Sequence, residues 1–112
     1  MDIESFRNFC LSLPDVTEEF PFGPTTLVFK THGKLFALTG LDVFESINLK
    51  CDPELAVELR ERYAAVLPGY HMNKQHWNTV LMDQTVPDRL VLEWTKNSYA
   101  LVRNKVPKSK KL

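Results

Sequence analysis

The chain is short of almost everything that marks a specialised class of protein. Its 112 residues hold two cysteines, Cys10 and Cys51, so the disulfide framework that staples small secreted domains is not written in it. Asp2 and Glu4 stand where the positive region of a secretory leader would be. The expectation is therefore reduced thiols in a cytoplasmic protein. No apolar run approaches the roughly 20 residues of a membrane span, which predicts no membrane partner. Neither sign of charge dominates: 14 Lys and Arg meet 14 Asp and Glu. That balance argues against strong non-specific nucleic-acid binding, which needs an excess of cations. Glycine is scarce, and Gly33 and Gly40 do not make a phosphate-cradling loop. No catalytic constellation and no cofactor motif are present, so the sequence predicts a monomeric, non-enzymatic protein with no cofactor and no metal.

What is present suits one globular domain. Hydrophobic residues make up 44% and charged residues 25%, an ordinary balance for a soluble core of this length. The expected domain runs over 1–106, followed by a loose basic tail at 107–112. Charge is unevenly placed. Residues 1–22 set Asp2, Glu4, Asp15, Glu18 and Glu19 against Arg7, whereas residues 101–112 carry Arg103, Lys105, Lys108, Lys110 and Lys111 with no acid. A solvated, frayed terminus accounts for the basic cluster.

Periodicity supplies the elements. Ile3, Phe6, Phe9, Cys10 and Leu13 recur at helical spacing, with Asp2 as N-cap and Pro14 as stop. Val16 to Phe22 reads as an edge strand, because Pro21, Gly23 and Pro24 interrupt it. Residues 26–30 and 34–38 read as strands joined in a hairpin through Thr31, His32 and Gly33. Over 45–50 the pattern alternates, Ile47 and Leu49 to one side and Ser46, Asn48 and Lys50 to the other, which predicts a polar sheet face at that strand. Asp52-Pro53-Glu54 opens a second helix, whose apolar stripe is Leu55, Leu59, Tyr63 and Val66 and which Pro68-Gly69 ends. Trp77 to Met82 reads as a strand. Pro87-Asp88 starts the last helix, with Leu90, Val91, Trp94, Leu101 and Val102 as core candidates. The predicted fold is α+β: a two-layer sandwich in which three helices cover one face of a mostly antiparallel sheet, in the order α-β-β-β-β-α-β-α.

The stretch from Pro68 to Asn78 stands out. It packs Tyr70, His71, Lys74, His76 and Trp77 into a connection between two elements, and such aromatic bodies with polar tips suit a contact surface. His71 and His76 lack the closely spaced cysteine pair that would complete a zinc site; local hydrogen bonding or solvent accounts for them. Cys10 lies on the apolar helix face and reads as core. Cys51 follows Lys50 and precedes a helix N-terminus, a setting that favours a thiolate and makes it the better nucleophile candidate, against a plain packing role at a strand-to-helix junction. Glu18 and Glu19, adjacent on a strand, point to opposite faces and cannot serve as an acid–base pair; salt bridges are expected.

A nucleic-acid site is assembled from Lys50, Tyr70, His71, Lys74, His76 and Trp77, with Arg103, Lys105 and Lys108 as an outer patch. Cations would meet phosphates, and Tyr70 and Trp77 would stack on bases. Burial of Trp77 at the start of its strand, with Tyr70 bracing the turn, is the competing account. The alternative function is a protein- or small-ligand-binding module using the sheet face.

Four stretches carry a family resemblance: residues 13–23 (LPDVTEEFPFG), residues 48–54 (NLKCDPE), residues 68–78 (PGYHMNKQHWN) and the pair Ser98-Tyr99. In this order they resemble the MmcQ/YjbR family over nearly the whole chain. The resemblance implies a fold related to CyaY and to secretion chaperones. It also implies DNA binding through a double-wing arrangement of loops, with no catalytic set.

Overall fold

The structure is a computed structural model and describes residues 1–69 and 72–105, the side chain of Lys105 excepted. The N-terminal helix α1, Ile3–Ser12, is capped as the sequence predicts: the Asp2 carboxylate accepts from the Ser5 N–H at 2.8 Å. Strands β1 (Val16–Glu19), β2 (Thr26–Thr31), β3 (Lys34–Gly40) and β4 (Ser46–Lys50) follow. After them come helix α2 (Pro53–Arg62), strands β5 (Val66–Pro68) and β6 (Trp77–Leu81), and helix α3 (Asp88–Lys105). The six strands form one sheet in the order β1-β2-β3-β4-β6-β5, and every neighbouring pair is antiparallel. Among the described residues no helix is long and apolar enough to cross a membrane.

Register separates the two faces. Paired residues point the same way, so Phe29, Ala37, Leu49, Asn78 and Val66 belong to one face. All three helices pack there. Phe6 of α1 meets the Phe29 ring edge-on at 5.9 Å. Tyr99 of α3 meets Phe36 at 5.4 Å. On α2, the Ala56 carbonyl accepts from the Asn78 amide at 3.4 Å. Among the described residues the opposite face carries no helix. The expectation of polarity holds there at β4, where Asn48 is only 9% exposed and its side chain accepts from Thr79 Oγ1 at 2.5 Å. It does not extend across the sheet, because Val28 and Leu38 share that row.

Two features of the path were not expected. Helix α2 stops at Arg62, and Val66 lies in a strand rather than on the helical stripe. The Tyr63 N–H still bonds the Leu59 carbonyl at 2.9 Å, but Tyr63 itself is extended. Val66 then pairs with Val80, and Pro68 is tolerated because β5 is, among the described residues, the edge of the sheet. The second feature is a β-bulge. Phe29 pairs with Ala37 and Lys30 with Leu35, leaving Phe36 as the extra residue. Its ring joins Ala37 in the core, and its carbonyl leaves the ladder. Ser98 repairs the gap: its hydroxyl donates to the Phe36 carbonyl at 2.6 Å and accepts from the Lys50 N–H at 2.8 Å.

The β2–β3 connection turns at His32 and Gly33, both with positive φ (51° and 77°). That is the backbone of a tight hairpin whose twist matches the strands. Glu18 and Glu19 diverge as predicted. Glu18 bonds Arg7 of α1, with Nε to Oε1 at 2.7 Å, while Glu19 meets Lys30 at 3.1 Å.

Candidate binding site

The aromatic, histidine-bearing loop is held from beneath by α2. Arg60 Nε donates to Asn78 Oδ1 at 2.7 Å, and its Nη2 donates to the Trp77 carbonyl at 3.3 Å and to the Lys74 carbonyl. At the loop's start the Gly69 N–H bonds the Trp77 carbonyl at 2.8 Å. A Cβ at Gly69 would lie 2.7 Å from the Trp77 Cβ and 2.9 Å from its carbonyl oxygen, so only glycine fits that close approach without a backbone shift.

The predicted nucleic-acid residues are placed unevenly. Lys50, Lys74, His76 and Trp77 gather at one end of β4 and β6, where Lys50 and Trp77 are register partners. Lys74 is exposed and His76 half-buried; the His76 carbonyl accepts from the Cys51 N–H at 2.7 Å. Trp77 is 8% exposed, so its ring is packed into the fold and offers no free face to a base. Arg103 sits elsewhere, over the end of β2. Its Nη2 is 2.9 Å from the Asp15 carboxylate, and its Nη1 donates to the Pro14 carbonyl and the Tyr99 hydroxyl. That guanidinium is already engaged by the turn after α1. Tyr70, His71, the Lys105 side chain, Lys108 and the 107–112 tail lie outside the described residues. Among the described residues no three His, Cys, Asp or Glu side chains converge as metal ligands.

Both cysteines are free. Burial pushes the Cys10 thiol far up, as befits a core residue. Cys51 departs from the thiolate expectation. Burial, and then the Asp52 carboxylate beside it, push its thiol up to about 11, against a smaller opposing pull from Arg60. The helix N-terminus that would favour a thiolate is occupied by its own acidic cap: Asp52 accepts from the Leu55 N–H at 3.5 Å.

An apolar recess among the described residues has no counterpart in the sequence reading. It lies between α2 and α3 over the helical face of the sheet, with a volume of about 440 Å³. Leu49, Val66 and Val80 form its floor; Leu55 and Leu59 line the α2 wall. On α3, Trp94, Asn97, Ala100, Leu101 and Asn104 form the other wall. These lie along one side of the helix at three- and four-residue steps. Tyr63, just past α2, meets the Trp94 ring edge to face at 5.2 Å, so the end of α2 lies beside the Trp94 turn of α3. Cys51 and Asp52, at the start of α2, and Asn104, near the far end of α3, also line the recess. Lys50 borders the recess by its backbone, because strand alternation turns its side chain to the open face with Trp77. The sequence signal was the Asn97/Ala100/Leu101/Asn104 spacing on the last helix, a stripe mixing amides with a small residue where a filled core would carry large apolar side chains.

The comparisons agree with this architecture. YbdF of Escherichia coli O157:H7 is 38% identical over 100 residues, covering 88% of this chain and 82% of that protein. YjbR of E. coli K12 is 30% identical over 112 residues, covering 99% and 95%. Among solved structures, the Deinococcus radiodurans protein DR2400 superposes with a TM-score of 0.85 at 42% identity, over 89% of this chain and 77% of that one. A Pseudomonas syringae protein gives 0.77 at 27% identity, over 91% and 99%. The family model described as YjbR matches residues 11–101, most of both layers. The chain belongs to the YjbR family.

Proposed function

We propose that the protein is a non-enzymatic, monomeric, cytoplasmic binding module, and that its ligand site is the cleft between α2 and α3. One observation carries this reading: a recess of about 440 Å³ with an aliphatic floor, an indole wall and a few amides at its rim. Those are the size and lining of small-molecule sites, apolar surface for affinity and sparse polar groups for orientation. The raised thiol of Cys51 and the absence of a base hydrogen-bonded to it, among the described residues, support binding rather than catalysis.

The test is an amide-resolved NMR titration with naphthylethanol, an uncharged apolar probe. Shifts are expected at Leu55, Leu59, Val80 and the Trp94 indole, with the Trp77 indole unmoved. Ala100→Phe, which puts a ring into the recess from a helical position, should abolish them. No shift at millimolar probe would end the proposal.

A second reading, DNA contact through the β5–β6 loop, is favoured by Lys74, which is exposed on a backbone that Arg60 holds fixed. A lysine there would meet phosphate and position without specifying sequence. Fluorescence anisotropy with short DNA duplexes and single strands at low salt tests it. Binding that Lys74→Ala weakens equally for every sequence supports it; no binding at high micromolar protein removes it.

A further inference from the structure

We propose that the cleft selects its ligand by charge, taking an apolar-bodied amine whose protonated nitrogen rests at the mouth against Asp52. The inference builds on the cleft reading and adds the chemistry of the head group.

Few charges face the recess among the described residues. Lys50 is in its lining, but its side chain lies on the opposite face of the sheet beside Trp77. Arg60 is close to the floor, yet its donors go to Asn78, Trp77 and Lys74, and it is not part of the lining. Among the described residues, that leaves Asp52 as the charged side chain turned to the cleft. It is exposed and makes no ion pair among the described residues. Its one recorded bond, to the Leu55 N–H at 3.5 Å, uses Oδ2 and leaves Oδ1 open.

Among the described residues, an anionic ligand such as a carboxylate or a phosphate would therefore meet one repelling carboxylate in the lining and no cationic group turned into it, Arg60 being engaged behind the floor. An ammonium would find an opposite charge. It would also find acceptors in the side-chain carbonyls of Asn97 and Asn104, amides that form no side-chain hydrogen bond among the described residues. The two amides are seven residues apart on α3, roughly 10 Å along the axis, with Ala100 and Leu101 between them. The recess is thus a trough with an aromatic end at Trp94 and a polar, acidic end at Asp52 and Asn104. A ligand matching both ends lays its apolar body toward Trp94 and Leu59 and leaves its head at the mouth. One partly solvated carboxylate gives modest selectivity, so the expected preference is small and measurable.

The experiment uses three probes with one body: naphthylethylamine, naphthylethanol and naphthylacetate, each titrated into the full chain and followed by amide shifts and by calorimetry. The amine is expected to bind about fivefold more tightly than the alcohol, and the acetate more weakly than both. Asp52→Asn retains an N-cap residue of equal quality, so the helix is preserved while the charge goes. In that variant the amine should fall to the alcohol's affinity, with the alcohol unchanged. Equal binding of all three probes to the wild type, or an amine affinity indifferent to Asp52→Asn, overturns the head-group inference and leaves the cleft reading standing. Failure of every probe to shift a cleft residue overturns both.

Discussion

The helical layer is built in two ways over one sheet. Above β1 to β3 it is filled by rings: Phe6 meets Phe29 at 5.9 Å and Phe44 at 5.7 Å, and Phe36 meets Phe29 at 6.4 Å and Tyr99 at 5.4 Å. Above β4 to β6 the floor is Leu49, Val66 and Val80, and α2 contributes Leu55 and Leu59. Aliphatic side chains on the floor and Ala100 on α3 do not reach far enough to bring the two helices into contact over that half, and the cleft is the volume left behind. A protein interior is normally packed like a crystal, with few voids. A void this large beside a tightly filled half is a property of the residues chosen, since the same sheet carries both.

The largest contrast should appear in thiol chemistry, because each half holds one cysteine. Cys10 is buried among the rings and Cys51 is half-buried at the cleft. Iodoacetamide should modify Cys51 from the native state, slowly at neutral pH and faster as pH rises toward its value of about 11. Cys10 should wait for unfolding and lag by more than about a hundredfold, read by peptide mass spectrometry over time. Comparable rates would mean that the filled half opens as readily as the cleft.

Truncation sharpens the same comparison. Phe36→Ala removes a ring with no exposure from the filled half and should cost about 3–5 kcal/mol in urea unfolding. Leu59→Ala removes a side chain that already borders empty space, so its loss extends a cavity rather than creating one. A cost of about 2 kcal/mol is expected, at the low end for such changes. Equal costs would show that the α2–α3 side is as tightly packed as the other.

Much of the layer plan was legible in the sequence, for local reasons. Asp2 and Asp52-Pro53 mark helix starts because capping is chemistry between near neighbours. Ile47 and Leu49 mark the core face because a strand alternates. What was not legible depended on distant segments. Val66 continues a helical stripe by spacing, yet pairing with Val80 decides its state. Trp77 reads equally as contact residue or core until the Gly69 turn is seen pressed against it. The bulge at Phe36 and its repair by Ser98 join residues 62 positions apart. The cleft draws on strands β4, β5 and β6 and on two helices, and a void has no sequence pattern of its own.

Ser98 stands on the seam between the halves, and its removal tests whether they are coupled. Ser98→Ala strips the Phe36 carbonyl and the Lys50 N–H of their shared partner in a buried place. A loss of about 2 kcal/mol is expected, the scale of buried polar groups left unpaired. The Lys50 and Cys51 amides should shift in NMR spectra, since the end of β4 is what the hydroxyl holds. An unchanged stability would mean that water replaces the hydroxyl at no cost and that the seam tolerates solvent.

The smallest effect belongs to the rim of the filled half, where Arg7 of α1 grips Glu18 of β1 through two bonds, at 2.7 and 2.5 Å. The Arg7 side chain, hydrogen-bonded and oppositely charged, holds the Glu18 carboxyl below its ordinary value near 4.5. A depressed carboxylate adds stability that is fully present above its unfolded value and is lost as pH falls through the folded one. The difference in Tm between wild type and Glu18→Gln should therefore be constant from neutral pH down to about 5 and shrink below 4.5. Both partners are partly open to solvent, so the plateau should be roughly 2 °C, and added salt should reduce it. A difference that persists unchanged at pH 3 would mean that Glu18 acts through packing on α1 rather than through its charge, and that the filled half needs no electrostatic tie at its edge.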